Sequence, residues 1–149
     1  MIAKIGGAVI GHGGMGRFHA KRMEENPEVD FIGAYDILPE RTESLPGNGK
    51  SFPSLDALLA DDRIGLVTVA TPNDTHKGIV IKALEAGKNV ICEKPFTTKL
   101  SDAVELAELA KEKRLFLAEA MPTTYLPNYA ILKRELEKLM AEQRRLSYA

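Results

Sequence analysis

Apolar and polar positions along the chain follow two alternating rhythms. Short apolar runs at Ile5 to Ile10, Val29 to Tyr35, Lys50 to Phe52, Leu66 to Ala70, Asn89 to Cys92 and Leu115 to Ala118 predict strands. Most are apolar at successive positions, as in Leu66-Val67-Thr68-Val69-Ala70, which is how strands covered on both faces read. Gly6 and Gly7 weaken the first of them. Between the runs, apolar residues recur every three or four positions. Met15, Phe18 and Met23 form one such set, and Ile79, Val80, Ala83 and Leu84 another, each predicting a helix with that stripe in the core. The second of these helices has a polar entry at Asn73-Asp74-Thr75 and a stop at Gly87. Leu100 to Lys113 and Asn128 to Met140 predict two more, the last with Ile131, Leu132, Leu136, Leu139 and Met140 on one face. Ser44 to Gly49 is rich in turn residues and leaves room for only a short helix after the second strand. The strand and helix alternation from end to end predicts an α/β architecture: about six strands in a doubly wound parallel sheet, with helices on both faces in three αβα layers.

Length and composition narrow the classes. A chain of 149 residues holds one ordinary domain with a core that needs no metal or disulfide, taken here as residues 1–143. Basic and acidic residues nearly balance, at 20 against 21, and aromatic residues are sparse, so nothing resembles a basic stripe for nucleic acid. Cys92 has no internal partner and reads as a buried thiol in a reducing, cytoplasmic setting. No apolar stretch approaches a membrane span, and the N-terminus has no targeting pattern. His12, His19 and His76 lack a supporting cluster of cysteines or carboxylates, so no metal site is expected.

The chemistry begins at Gly11-His12-Gly13-Gly14-Met15-Gly16. This G-x-G-x-x-G follows the first predicted strand and opens a helix, and Asp36 lies about twenty residues beyond it. Gly11 permits a tight turn, Gly13 lets a pyrophosphate approach the backbone, and Gly16 lets helix and strand pack closely. The unpaired amides at the helix start, those of Gly14 and Met15, provide an anion site without a basic side chain. Asp36, at the end of the second strand, can accept hydrogen bonds from both ribose hydroxyls of an adenosine and would repel a 2'-phosphate, which favours NAD over NADP. Ile37 belongs with it at the adenosine end, and Arg41 is near enough to pair with a phosphate if Asp36 swings away. The competing role for Asp36 is a turn cap before Pro39. Gly49-Lys50-Ser51 imitates the end of a triphosphate-binding loop, but Ser44 stands where such a loop needs glycine, and a strand rather than a helix follows.

Ligands of parallel sheets lie beyond the carboxyl ends of the strands, which singles out Thr71-Pro72-Asn73-Asp74-Thr75-His76 and Glu93-Lys94-Pro95. With the glycine loop, Ala70-Thr71-Pro72-Asn73, His76, Ala83 to Val90 and Cys92-Glu93-Lys94-Pro95, the whole chain resembles the N-terminal Rossmann domain of the Gfo/Idh/MocA family of oxidoreductases. The resemblance implies that Ala70, Thr71, Pro72 and Asn73 line the cofactor, that Lys94 reaches nicotinamide and substrate, and that the bond from Lys94 to Pro95 is commonly cis. An ammonium at Lys94 can also stabilise negative charge developing on a substrate oxygen during hydride transfer. Glu93 is a candidate for cofactor contact or for shaping the turn, and His76 for cofactor contact or a plain helix start.

The resemblance further implies a substrate domain beyond this one, acting on a polyol, sugar or similar small alcohol or carbonyl compound. Residues 144–149 are expected to begin that domain, so the chain alone is expected to be catalytically incomplete, with exposed apolar surface that favours a homodimer. Two other readings stay open: a dinucleotide sensor or partner module without catalysis, and a fragment that folds without cofactor. A lysine beside the nicotinamide argues for chemistry over sensing.

Overall fold

The computed structural model describes residues 4–121 and 127–141. Six parallel strands form one sheet: β1 (Ile5–Ile10), β2 (Val29–Tyr35), β3 (Lys50–Ser51), β4 (Leu66–Val69), β5 (Asn89–Glu93) and β6 (Leu117–Ala120), in the order β3-β2-β1-β4-β5-β6. The order reverses direction between β1 and β4, so a crevice opens there at the carboxyl edge, as in Rossmann folds. The register pairs Ile10 with Tyr35 and Val69, Val69 with Cys92, and Glu93 with Ala120. Gly11, Asp36 and Ala70 therefore leave the sheet side by side, with Glu93 one strand further along the same edge.

The helices are α1 (Gly14–Glu25), α2 (Leu55–Leu59), α3 (His76–Glu85), α4 (Leu100–Lys113) and α5 (Pro127–Ala141). Side chains alternating along the strands divide the core. Ala8, Ile10, Val67, Val69, Val90 and Cys92 point to the face packed by α2, α3 and α4, where Leu58, Leu84 and Leu106 are fully buried. Each such leucine contributes about 1.5–3 kcal/mol over an exposed one. Val9, Phe31 and Ala34 point the other way, onto Ala20 and Met23 of α1. Phe31 and Ala34 share a face despite their odd spacing because the β1 to β2 pairing slips by one residue, Gly7 facing Phe31 and Ala8 facing Gly33. The two glycines at the start of β1 do not break it: it is the central strand, and a side chain at Gly7 would press on Met23 and Val29.

Several expectations shift. β3 ends at Ser51 and β4 at Val69, each a residue early, while β5 runs on to Glu93 and β6 starts two residues late. The α1 stripe is not Met15, Phe18 and Met23. Met15 and Phe18 are 47% and 48% exposed, and the helix instead buries Gly16, Ala20 and Met23, because the sheet is close enough to admit only small residues beside the methionine. Asn73–Thr75 is a 3-10 turn ahead of α3, and no side chain caps that helix. Ile131 and Leu132 of α5 are half exposed. Residues 144–149, expected to start another domain, lie outside the described residues, as do the side chains of Leu139 and Met140. Among the described residues no helix is long and apolar enough to cross a membrane.

Candidate dinucleotide site

Gly11 leaves β1 with φ of +86°, and its N–H donates to the Tyr35 carbonyl over 2.8 Å. A Cβ there would stand 2.7 Å from the Ala70 carbonyl oxygen, so this position requires glycine by conformation and by space. Gly16 is constrained by space, since its Cβ would run into the Gly11 carbonyl oxygen. Gly13 and Gly14 differ: a Cβ on either meets nothing within 4 Å. No packing demands glycine at Gly13, which opens on a cleft and is the N-cap of α1. No side chain caps α1 there, and its first turn carries no acid. The leading N–H groups of a helix have no intrahelical acceptors, so this end presents donors and a positive dipole to whatever occupies the opening.

Asp36 sits at the next strand end, 7% exposed. Its Oδ2 accepts the His12 N–H at 2.7 Å and its Oδ1 accepts the Leu38 N–H at 2.9 Å, while Arg41 Nη1 lies 3.5 Å from Oδ2. The carboxylate is thus a turn cap and a cleft residue at once, and a carboxylate oxygen can accept more than one bond. Two backbone donors would be stranded if it swung away.

Gly11, Gly13, Met15, Asp36, Ile37 and Arg41 line one cleft of about 430 Å3, whose opposite wall is Ala70, Thr71 and Pro72. Thr75, from the segment singled out by sequence, also lines it, as do Tyr35 and Ile79, which were not expected. Tyr35 ends β2 beside Gly11, and the four-residue spacing of Thr75 and Ile79 on the α3 entry was the available signal. His12, inside the glycine loop, turns its ring away from the cleft. The side chain is buried, and Nδ1–H donates to the Arg41 carbonyl at 2.7 Å, so the residue braces the loop and holds Asp36 through its amide instead of reaching into the cleft. Its Nε2 is buried with no hydrogen-bond partner. Asn73 starts the 3-10 turn and is exposed beside the cleft wall.

Glu93 and Lys94 line a second cavity of about 310 Å3, which shares Met15 with the first and is otherwise walled by Phe18, His19, Phe116 and Met121 among others. The exposed Lys94 stands on a turn with a cis bond to Pro95. Three elements hold that turn. His19 on α1 donates from Nε2 to Glu93 Oε1 at 2.7 Å, and Glu93 Oε2 accepts the Lys94 N–H at 3.2 Å. Glu119 on β6 accepts the Phe96 N–H at 2.8 Å. His76, at the start of α3, places Nδ1 at 3.1 Å from the Pro95 carbonyl oxygen and Nε2 at 2.9 Å from that of Thr71. Of the two roles expected for His76, the helix start is the one it takes: its ring is fully buried at the first residue of α3, beneath the cleft and between two of its loops.

A sequence profile described as an oxidoreductase family with an NAD-binding Rossmann fold, Gfo/Idh/MocA, matches residues 5–120. The chain belongs to the Gfo/Idh/MocA oxidoreductases. Among relatives of this family, it is 36% identical over 134 residues to glucose-6-phosphate 3-dehydrogenase of Bacillus subtilis, covering 89% of this chain and 37% of that protein. It is 48% identical over 80 residues to the NADP(+)-dependent D-xylose 1-dehydrogenase of Hypocrea jecorina, covering 54% of this chain and 20% of that one. Among solved structures, GenD2 of gentamicin A biosynthesis, crystallised with NAD, superposes with a TM-score of 0.83 at 34% identity, covering 87% of this chain and 38% of that one. The chain thus spans well under half the length of these relatives, and what aligns is the Rossmann domain.

Proposed function

We propose that the chain binds NAD, in preference to NADP, as the cofactor domain of an oxidoreductase acting on a sugar, polyol or similar small alcohol or carbonyl compound. The observation that carries this is the opening at Gly13 and Gly14, where a Cβ would meet nothing within 4 Å although Gly11 and Gly16 on either side are tightly enclosed. No packing demands glycine at Gly13 and Gly14, and a pyrophosphate on the α1 amides supplies an external reason for it. Asp36 would hold the adenosine ribose, with Ile37 and Arg41 at the adenine end. Its clamp by the His12 and Leu38 amides supports NAD, because a fixed carboxylate repels a 2'-phosphate and cannot yield to Arg41.

Bound there, nicotinamide supplies the hydride acceptor or donor. Lys94 Nζ would hydrogen-bond the substrate oxygen and stabilise the negative charge that grows on it. The ties from His19, Glu119 and His76 fix the Lys94 backbone in advance, so little ordering remains when ligands arrive. Residues 1–143 form the cofactor domain in this reading, and the pocket that selects the substrate comes from outside it. A cytoplasmic setting accords with the single buried thiol of Cys92. The open apolar patch at Met15, Phe18 and Phe116 favours self-association as a homodimer.

Calorimetric titration with NADH and NADPH, on the chain and on Asp36→Asn, tests the reading. NADH binds more tightly to the parent, and Asn, which keeps an acceptor but no charge, moves the NADPH to NADH ratio toward parity by about tenfold. Tighter binding of NADPH by the parent overturns the role of Asp36, and no binding of either overturns the cofactor assignment.

A further inference from the structure

Both ring nitrogens of His76 face backbone carbonyl oxygens, Nδ1 that of Pro95 and Nε2 that of Thr71. Carbonyls only accept, so each contact is a hydrogen bond only while that nitrogen carries a proton. A neutral ring makes one of them at a time and an imidazolium both. The two carbonyls belong to separate loops. Thr71 follows β4 and lines the cleft with Asp36 and Gly13, whereas Pro95 follows β5 and ends the turn that carries Lys94. The ring is fully buried at the first residue of α3, so it touches no ligand, and a buried polar ring without these partners would be costly. His19 and Glu119 also tie the Lys94 turn, but neither reaches the Thr71 loop.

We infer that His76 is a positioning residue with two separable arms, each holding while its nitrogen carries a proton and both together when the two nitrogens do: Nε2 sets the Thr71 wall of the adenosine and pyrophosphate cleft, and Nδ1 sets the Lys94 turn at the nicotinamide end. The inference rests on the dinucleotide reading above. It makes the spacing between the two halves of the cofactor depend on one ring. An aliphatic residue of equal volume would fill the space and leave both loops unlinked.

The two carboxamides divide the arms. An asparagine nitrogen falls where Nδ1 lies and a glutamine nitrogen where Nε2 lies, so His76→Asn keeps the Pro95 tie and His76→Gln keeps the Thr71 tie. Affinities for NADH and for ADP-ribose, which lacks the nicotinamide, are measured on the chain and both variants by calorimetry. His76→Gln weakens NADH by about three- to tenfold and leaves ADP-ribose unchanged, and His76→Asn weakens both ligands by the same factor, the scale of one lost hydrogen bond. Equal losses for both ligands in both variants, or no loss in either, overturn the inference. A parent that binds neither ligand overturns the dinucleotide reading itself, whereas intact parent binding without the crossed pattern removes only the role of His76. Ring nitrogen NMR of the parent serves even if the variants do not fold: saturation with NADH shifts the Nδ1 resonance and ADP-ribose shifts chiefly Nε2, and a ring that responds to neither contradicts the assignment.

Discussion

Alanine at Gly13 and alanine at Gly16 are the same chemical change, and the structure assigns them opposite consequences. At Gly16 the new methyl meets the Gly11 carbonyl oxygen, backbone that cannot move without lifting α1 from β1. Overpacking of that kind costs about 1–3 kcal/mol of stability. At Gly13 the methyl meets nothing within 4 Å, and φ of −74° lies outside the left-handed region that favours glycine. The gain from a stiffer unfolded chain, about 0.4–1 kcal/mol, roughly offsets the preference for glycine over alanine at an N-cap. Stability therefore stays within about 1 kcal/mol of the parent. Binding reverses the order. The Gly13 methyl occupies the opening through which a pyrophosphate would reach the α1 amides. Losing one or two charge-assisted bonds of about 1.5–3 kcal/mol each weakens NADH by roughly a hundredfold. Urea unfolding gives the stabilities and NADH titration of the folded fraction gives the affinities. Gly13→Ala that binds like the parent, or binding losses that merely follow stability in both variants, would refute the argument.

Two further outcomes follow from the core. Burial, with the negative charges of Glu119 and Glu93 added, pushes the Cys92 thiol up to about 12 from 9.0. The folded chain keeps a proton that the unfolded chain releases, so stability present below pH 9 is lost as pH rises toward 12, by about 1.4 kcal/mol per pH unit from this group. Cys92→Ala lacks that increment, which urea melts at pH 7 and 10.5 detect, and identical losses in parent and variant would contradict it. Leu106→Ala, emptying a fully buried site, costs about 2–5 kcal/mol, whereas Phe18→Ser, on a half-exposed ring that Arg22 covers at 5.2 Å, costs about 1 kcal/mol. Comparable losses in the two would restore Phe18 to the core.

The strand runs were legible because a two-sided sheet needs apolar residues at successive positions, and Leu66 to Val69 or Val90 to Cys92 have little else. The helix stripe of α1 was misread because periodicity reports which residues share a face, not which face turns inward. Met15 and Phe18 repeat at helical spacing, yet the buried line is set by how near Gly16 and Ala20 let the helix come. At the site, glycines and strand-end acids were readable because their roles are backbone roles with fixed spacing. His12 and His76 were not. Both sit beside cleft residues in sequence, but their rings turn inward to carbonyls of Arg41, Thr71 and Pro95 that lie 5 to 29 positions away. Nothing local announces such partners. Lys88, almost buried with Nζ on the Asp61 carbonyl at 3.0 Å, was missed for the same reason.

Amide NMR of the chain titrated with NADH bears most directly on the claim that a dinucleotide lies across the glycine loop. The account predicts that the largest shifts fall on Gly13, Gly14 and Met15, with His12 and Leu38 responding through the Asp36 carboxylate they share. Shifts confined to the cavity beside Phe18 and Phe116, with the glycine loop unmoved at saturation, would contradict it.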